Sequence, residues 1–167
     1  MENRTKKIIF AAMFSALACV TTMIIRIPTM DGYINLGDGI VLLCGWVLGP
    51  AFGFVAAGIG SALADIFGGY ALYAPITFII KGLMALAASY LFKALYKVNK
   101  KSTPSRIISG IAAELIMIAG YYLFESIIYG SFITAAKNIL FNLAQGTAGL
   151  VAGLVLIKIF EKNQIKL

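Results

Sequence analysis

The sequence predicts an all-α integral membrane protein of six transmembrane helices with both termini on the cytoplasmic side. Three observations carry that prediction. Of the 167 residues, 60% are hydrophobic and only 13% are charged, with a mean hydropathy of +0.91; a soluble domain has about a quarter of its residues charged. The apolar residues fall into runs separated by short polar breaks, most of them long enough to cross roughly 30 Å of hydrocarbon. The basic residues gather at three of those breaks: Arg4, Lys6 and Lys7; then Lys93, Lys97, Lys100, Lys101 and Arg106; then Lys158, Lys162 and Lys166. Six spans put all three clusters on one side, and positive residues mark the cytoplasmic side. The net charge of +7 is therefore a topology signal, and no nucleic-acid partner is expected.

Each element follows from a run and its punctuation. Residues 8–25 form the first span. Ala16-Leu17-Ala18 resembles a signal cleavage site, but the run continues past it to a spanning length. Residues 26–32, with Pro28, read as a loop. Residues 36–49 form a second segment stopped by Pro50, whose ring and missing N–H end helical bonding. At 1.5 Å per residue it covers about 21 Å, short of the hydrocarbon thickness, so it is tilted or enters partway. Residues 51–68 form the third segment and 74–96 the fourth, with Pro75 in its first turn, where proline is tolerated. A polar loop over 97–106 leads into the fifth. There Thr103-Pro104 reads as an N-cap and first helical residue, and the helix reaches about Tyr129. Gly130 and Ser131 turn the chain into the sixth segment, 132–160. No linker, low-complexity stretch or repeat divides it, so residues 1–167 read as one domain.

The stretch 35–81 is the most informative. Gly53, Ala57, Ser61, Asp65 and Gly69 recur every fourth residue, with Ala56, Gly60, Ala64 and Gly68 in a second row beside them. Such rows let helix backbones approach closely in lipid. Asp38, Asp65 and Lys81 interrupt the same stretch, and a charge at bilayer depth costs roughly 2.5–3.5 kcal/mol unless it is paired or lines a cavity. With the topology above, the polar residues gather at one depth, towards the outer face. Asn35 and Asp38 begin the second segment, and Asp65 nearly ends the third. Lys81 lies two turns into the fourth, Glu125 near the end of the fifth, and Asn138, Asn142 and Gln145 in the early turns of the sixth. Only Glu114 falls towards the inner side. Lys81 is expected to pair with Glu125, directly or through a ligand, with Asp65 as its rival partner. Asn138 and Asn142, one turn apart, present both amides to one cavity.

Composition also excludes chemistry. The chain contains no histidine, which removes histidine acid–base catalysis, histidine metal sites and serine–histidine triads. Cys19 and Cys44 sit within apolar runs without metal-ligand spacing and read as buried thiols. No G-x-x-x-x-G-K-[ST] occurs, so ATP is not used by this chain and no cofactor or metal is expected. A membrane enzyme built on Asp65 and Glu125 and a stand-alone small-solute carrier are the readings from other classes. A one-sided polar cluster suits a binding cup better than a through-path.

In its length, its six segments and its three specific stretches the chain resembles the substrate-binding S component of an energy-coupling-factor (ECF) vitamin transporter. The stretches are INLGDGIVLLCGWVLGP at 34–50, SALADIFGGY at 61–70 and YAPITFIIKG at 73–82. They are most similar to the hydroxymethylpyrimidine and vitamin B6 branch of the riboflavin-type S components. The resemblance implies a non-catalytic, multi-pass subunit of the bacterial plasma membrane with an S-component bundle. It would capture a water-soluble vitamin near the outer face, under a first outer loop (26–36) that closes over the site. Its partners would be a transmembrane coupling subunit and two cytoplasmic ATPases. The family's alanine-rich docking surface corresponds to Ala12 and Ala16, with Ala11 and Ser15 beside them. The implied binding residues are Asn35, Asp65, Tyr73, Lys81, Tyr121, Glu125, Asn138 and Asn142. Tyrosines 70, 73, 121, 122 and 129 suit stacking on a small ring. Trp46 is the single tryptophan, which departs from the tryptophan-rich site of thiamine-binding members. Hydroxymethylpyrimidine or a B6 form is favoured. Riboflavin, or pantothenate with its carboxylate on Lys81 or Lys137, is the alternative.

Overall fold

A computed structural model describes residues 2–28 and 33–162. Helix α1 (Glu2–Ile24) leads into a hairpin of β1 (Arg26–Pro28) and β2 (Tyr33–Asn35). Next come α2 (Gly37–Leu43), α3 (Pro50–Phe67), α4 (Ala74–Asn99), α5 (Ser102–Ile128) and α6 (Phe132–Lys162). Five of these, α1 and α3 to α6, are long and apolar enough to cross a membrane. Their outward faces are apolar too: Met13, Leu17, Val20, Leu115, Leu140, Val151 and Val155 are all exposed, as lipid-facing residues must be.

The second segment departs from an ordinary span. After α2 the chain widens into a π-helical turn, Cys44–Leu48. Gly49 then adopts φ 83°, a left-handed conformation that a side chain would oppose, and Pro50 opens α3. Every residue of α2 is buried. It packs against α1, α3, α4 and α6, so it is the centre around which the longer helices stand. Small residues make this possible. A Cβ added at Gly45 would lie 2.3 Å from the Ala85 carbonyl oxygen, and one at Gly39 would lie 2.9 Å from the Ala152 Cβ. The rows on α3 act in the same way. A Cβ at Gly60 would lie 2.3 Å from the Ser15 carbonyl oxygen of α1, and one at Gly58 would collide with Phe78 of α4. Leu42, Met84 and Met117 fill the interior between these contacts.

Two expectations are corrected. The loop over 26–32 is in part a strand, antiparallel to Tyr33–Asn35 with Ile27 opposite Ile34. Three-residue strands, one ending in Pro28, are too short to leave a periodic signal. The tip of that loop, 29–32, lies outside the described residues, as does Lys166. Helix α5 begins one residue ahead of the expected cap. Lys101, in extended conformation, is the N-cap, and Thr103 and Pro104 lie within the first turn.

Candidate functional site

A cavity of about 70 Å3 lies at the end of the bundle where α1, α3 and α5 finish and α4 and α6 begin. Each element contributes side chains near its terminus at that end. Thr22 comes from α1, Ser61 and Asp65 from α3, and Thr77 and Lys81 from α4. Tyr121 and Glu125 come from α5, and Asn138, Phe141, Asn142 and Gln145 from α6. The hairpin adds Tyr33, Ile34 and Asn35, and the turn between α3 and α4 adds Tyr70 and Tyr73. All eight residues singled out in the sequence therefore surround one space.

Its floor is ionic. Lys81, 3% exposed, forms an ion pair with the fully buried Asp38 of α2. This corrects the expected pairing with Glu125 or Asp65. The second Asp38 oxygen accepts a hydrogen bond from Gln145 Nε2 at 2.7 Å. Gln145 Oε1 in turn accepts from the Asn35 backbone N–H at 3.1 Å and from Asn35 Nδ2 at 3.2 Å. Asn35 Oδ1 accepts the Gly37 N–H at 2.9 Å. One chain of bonds thus runs from Lys81 through α2 and α6 to the end of the hairpin. Glu125 accepts instead from Asn138 Nδ2 at 3.0 Å, which occupies the amide expected to face a ligand.

The hairpin covers the opposite wall. Tyr33 donates its hydroxyl to Asp65 Oδ1 at 2.5 Å, and its ring packs on Tyr70 with centroids 4.9 Å apart. The Arg26 guanidinium sits 4.8 Å above that ring and donates to the Gly68 carbonyl at 3.2 Å. Burial, then the neighbouring Asp65 carboxylate, push the Tyr33 hydroxyl well above its ordinary pKa. It therefore stays protonated and remains a donor across the physiological range. Between the two walls Thr77 Oγ1 and the Tyr121 hydroxyl lie 3.0 Å apart, and the Tyr73 and Tyr129 hydroxyls 3.1 Å apart.

The sequence reading missed several wall residues. Tyr33 was hidden by the unrecognised hairpin, and Ser61 was read only as a packing residue. Asp38, which anchors the floor through Lys81, is absent from the residues expected to bind. The spacing of Ser61 and Asp65, one helical turn, was the available signal. Tyr122 packs on Phe132 and Lys137 is exposed, so neither lines the cavity. Glu114 lies midway along α5 beside Gly146, behind this cavity. On α1, Ala12 and Ala16 are exposed with Met13 and Leu17, but Ala11 packs on the core and Ser15 is buried at the Gly60 contact. The docking set expected on that helix is therefore split between two faces.

The model of the family described as "ECF-type riboflavin transporter, S component" matches residues 2–162. The chain belongs to this ECF S-component family. S components are the substrate-binding subunits of ECF transporters; they work with an ECF transporter module and are not enzymes. An uncharacterized protein of Pyrococcus woesei is 32% identical over 137 residues, which span 80% of this S component and 87% of the relative. The solved structure described as "Structure and mechanism of the S component of a bacterial ECF transporter" superposes with a TM-score of 0.73 at 24% identity. That match covers 98% of this chain and 99% of the other and establishes the shared fold.

Proposed function

We propose that this S component captures a small heteroaromatic vitamin or precursor, hydroxymethylpyrimidine or a B6 form, at the outer face of a bacterial plasma membrane. In this reading the chain is a single unit of six membrane segments with both termini in the cytoplasm. It hands its ligand to a transmembrane coupling subunit driven by two ATPases. The supporting observation is the cavity itself. It is compact, walled by Tyr33, Tyr70, Tyr73 and Tyr121, and furnished with amides and carboxylates at its edges. Aromatic faces favour a planar ring and the polar groups fix its orientation. Riboflavin is the second reading, on the strength of the family's description.

The test is to purify the protein, identify retained small molecules by mass spectrometry, and titrate each vitamin by calorimetry. A single-ring compound should be retained. Glu125→Gln and Asn142→Ala should each weaken its binding by about 1–3 kcal/mol, the cost of a buried polar partner left unmet. Tight binding of riboflavin alone would sink the single-ring assignment, and unchanged affinity in both variants would move the site elsewhere.

Docking to the coupling subunit is assigned to the exposed Ala12–Ala16 face of α1, where small side chains permit close helix contact. An Ala16→Trp variant should lose co-purification with the coupling subunits while its ligand affinity stays within about twofold of the parent. Undiminished assembly would exclude this face.

A further inference from the structure

Two polar atoms in the cavity wall have no hydrogen-bond partner among the described residues: Ser61 Oγ and Asp65 Oδ2, both buried. Their residues are 2% and 6% exposed. They stand one turn apart on α3, both on the face that lines the cavity. Buried polar atoms in native proteins are nearly always bonded, so a pair of orphans in a cavity wall marks a place where something else completes the bonding.

The chemistry of that something is constrained. A carboxylate oxygen only accepts, and a hydroxyl can accept or donate. A group that satisfies both must supply at least one N–H or O–H. The charge balance of the cavity points the same way. Its walls hold two carboxyls, Asp65 and Glu125, and one ammonium, Lys81, which is already paired with Asp38. An anionic ligand would be repelled by the Asp65 carboxylate on this side, whereas an amino group would meet an acceptor there beneath the tyrosine faces.

We propose that Ser61 and Asp65 form a donor-reading subsite that selects heteroaromatic ligands bearing an amino group. The assignment rests on the vitamin-capture reading above and specifies the class of vitamin. The same carboxylate also holds the hairpin, because Asp65 Oδ1 accepts from Tyr33 and leaves Oδ2 as the oxygen still to be bonded. One side chain thereby recognises the ligand and fastens the cover over it. A site built around a donor rejects the analogue lacking it far more strongly than an apolar pocket rejects a missing methylene, because its acceptors are stranded.

The test uses paired probes in calorimetric titrations of the detergent-purified chain. One pair is 4-amino-5-hydroxymethyl-2-methylpyrimidine and the same ring with hydrogen in place of the 4-amino group. The other is pyridoxamine and pyridoxine. The parent should favour the amino member of at least one pair by about 100-fold or more. Asp65→Asn should shrink that ratio to below about tenfold, and Ser61→Ala should shrink it less. The ratio is the informative readout, because loosening the hairpin or the fold weakens both members of a pair equally. Equal affinities within both pairs, or a ratio unchanged in Asp65→Asn, overturn the subsite. Retention of a vitamin that has no N–H donor also overturns it while leaving vitamin capture intact. A folded parent that binds no water-soluble vitamin overturns capture itself.

Discussion

Lys81→Met should lower stability by about 3–5 kcal/mol, the scale of leaving one partner of a buried ion pair without the other. For a chain of this length that is on the order of 10 °C in the midpoint of thermal unfolding. The reason is specific to this interior. Asp38 is 0% exposed, and its remaining partner, Gln145 Nε2, is a neutral amide. No solvent reaches the carboxylate to replace the lost ammonium. The double variant Asp38→Asn/Lys81→Met should recover most of the loss, since it removes the stranded charge together with its cause. Thermal unfolding of the three proteins in the same detergent measures both effects. A Lys81→Met protein as stable as its parent would mean that the ion pair is not what holds α2 against α4.

Gln145→Ala should have the second largest effect, and a different character. The side chain makes three hydrogen bonds: one to the Asp38 carboxylate and two to Asn35. The bond to a charged group alone is worth about 1.5–3 kcal/mol. Stability should fall by about 2–3 kcal/mol. The more telling result is kinetic. Asn35 ends the hairpin, so freeing it should raise ligand dissociation by at least tenfold while association changes little. Stopped-flow measurement of both rates separates these outcomes, and Asn35→Ala should reproduce the dissociation effect. An equal fall in association, with dissociation unchanged, would assign Gln145 to ligand entry and not to the cover.

The parts of the fold legible in the sequence were those with a long-range period or composition. Helices α1 and α3 to α6 announce themselves through sustained apolar runs of 18 to 31 residues. The small-residue rows of α3 were equally plain, although nothing local says that Gly60 meets Ser15 while Gly58 meets Phe78. The candidate site was legible as a depth, because polar residues near the ends of four helices fall at one level once the topology is set. Its pairings were not. Lys81 and Asp38 are 43 residues apart and meet because α2 sits at the centre of the bundle. A centre of that kind is decided by which backbones can approach, through Gly39 and Gly45, and not by hydropathy. The hairpin was invisible for the opposite reason: its strands are too short for any period to be read.

The short central helix also bears on how the molecule is made. Its seven α-helical and five π-helical residues span about 18 Å, and a carboxylate stands in its first turn. A nascent chain emerging into lipid has no resting place for such a segment, since it is too short to bridge the hydrocarbon and too costly to leave there with Asp38 unpaired. It becomes favourable only when α4 brings the Lys81 ammonium and α6 brings Gln145 and the bare backbone at Gly149 and Gly153. Helix α6 is synthesised last. The contacts that make the centre of the bundle tolerable in lipid are therefore complete only once the chain has been made past residue 153.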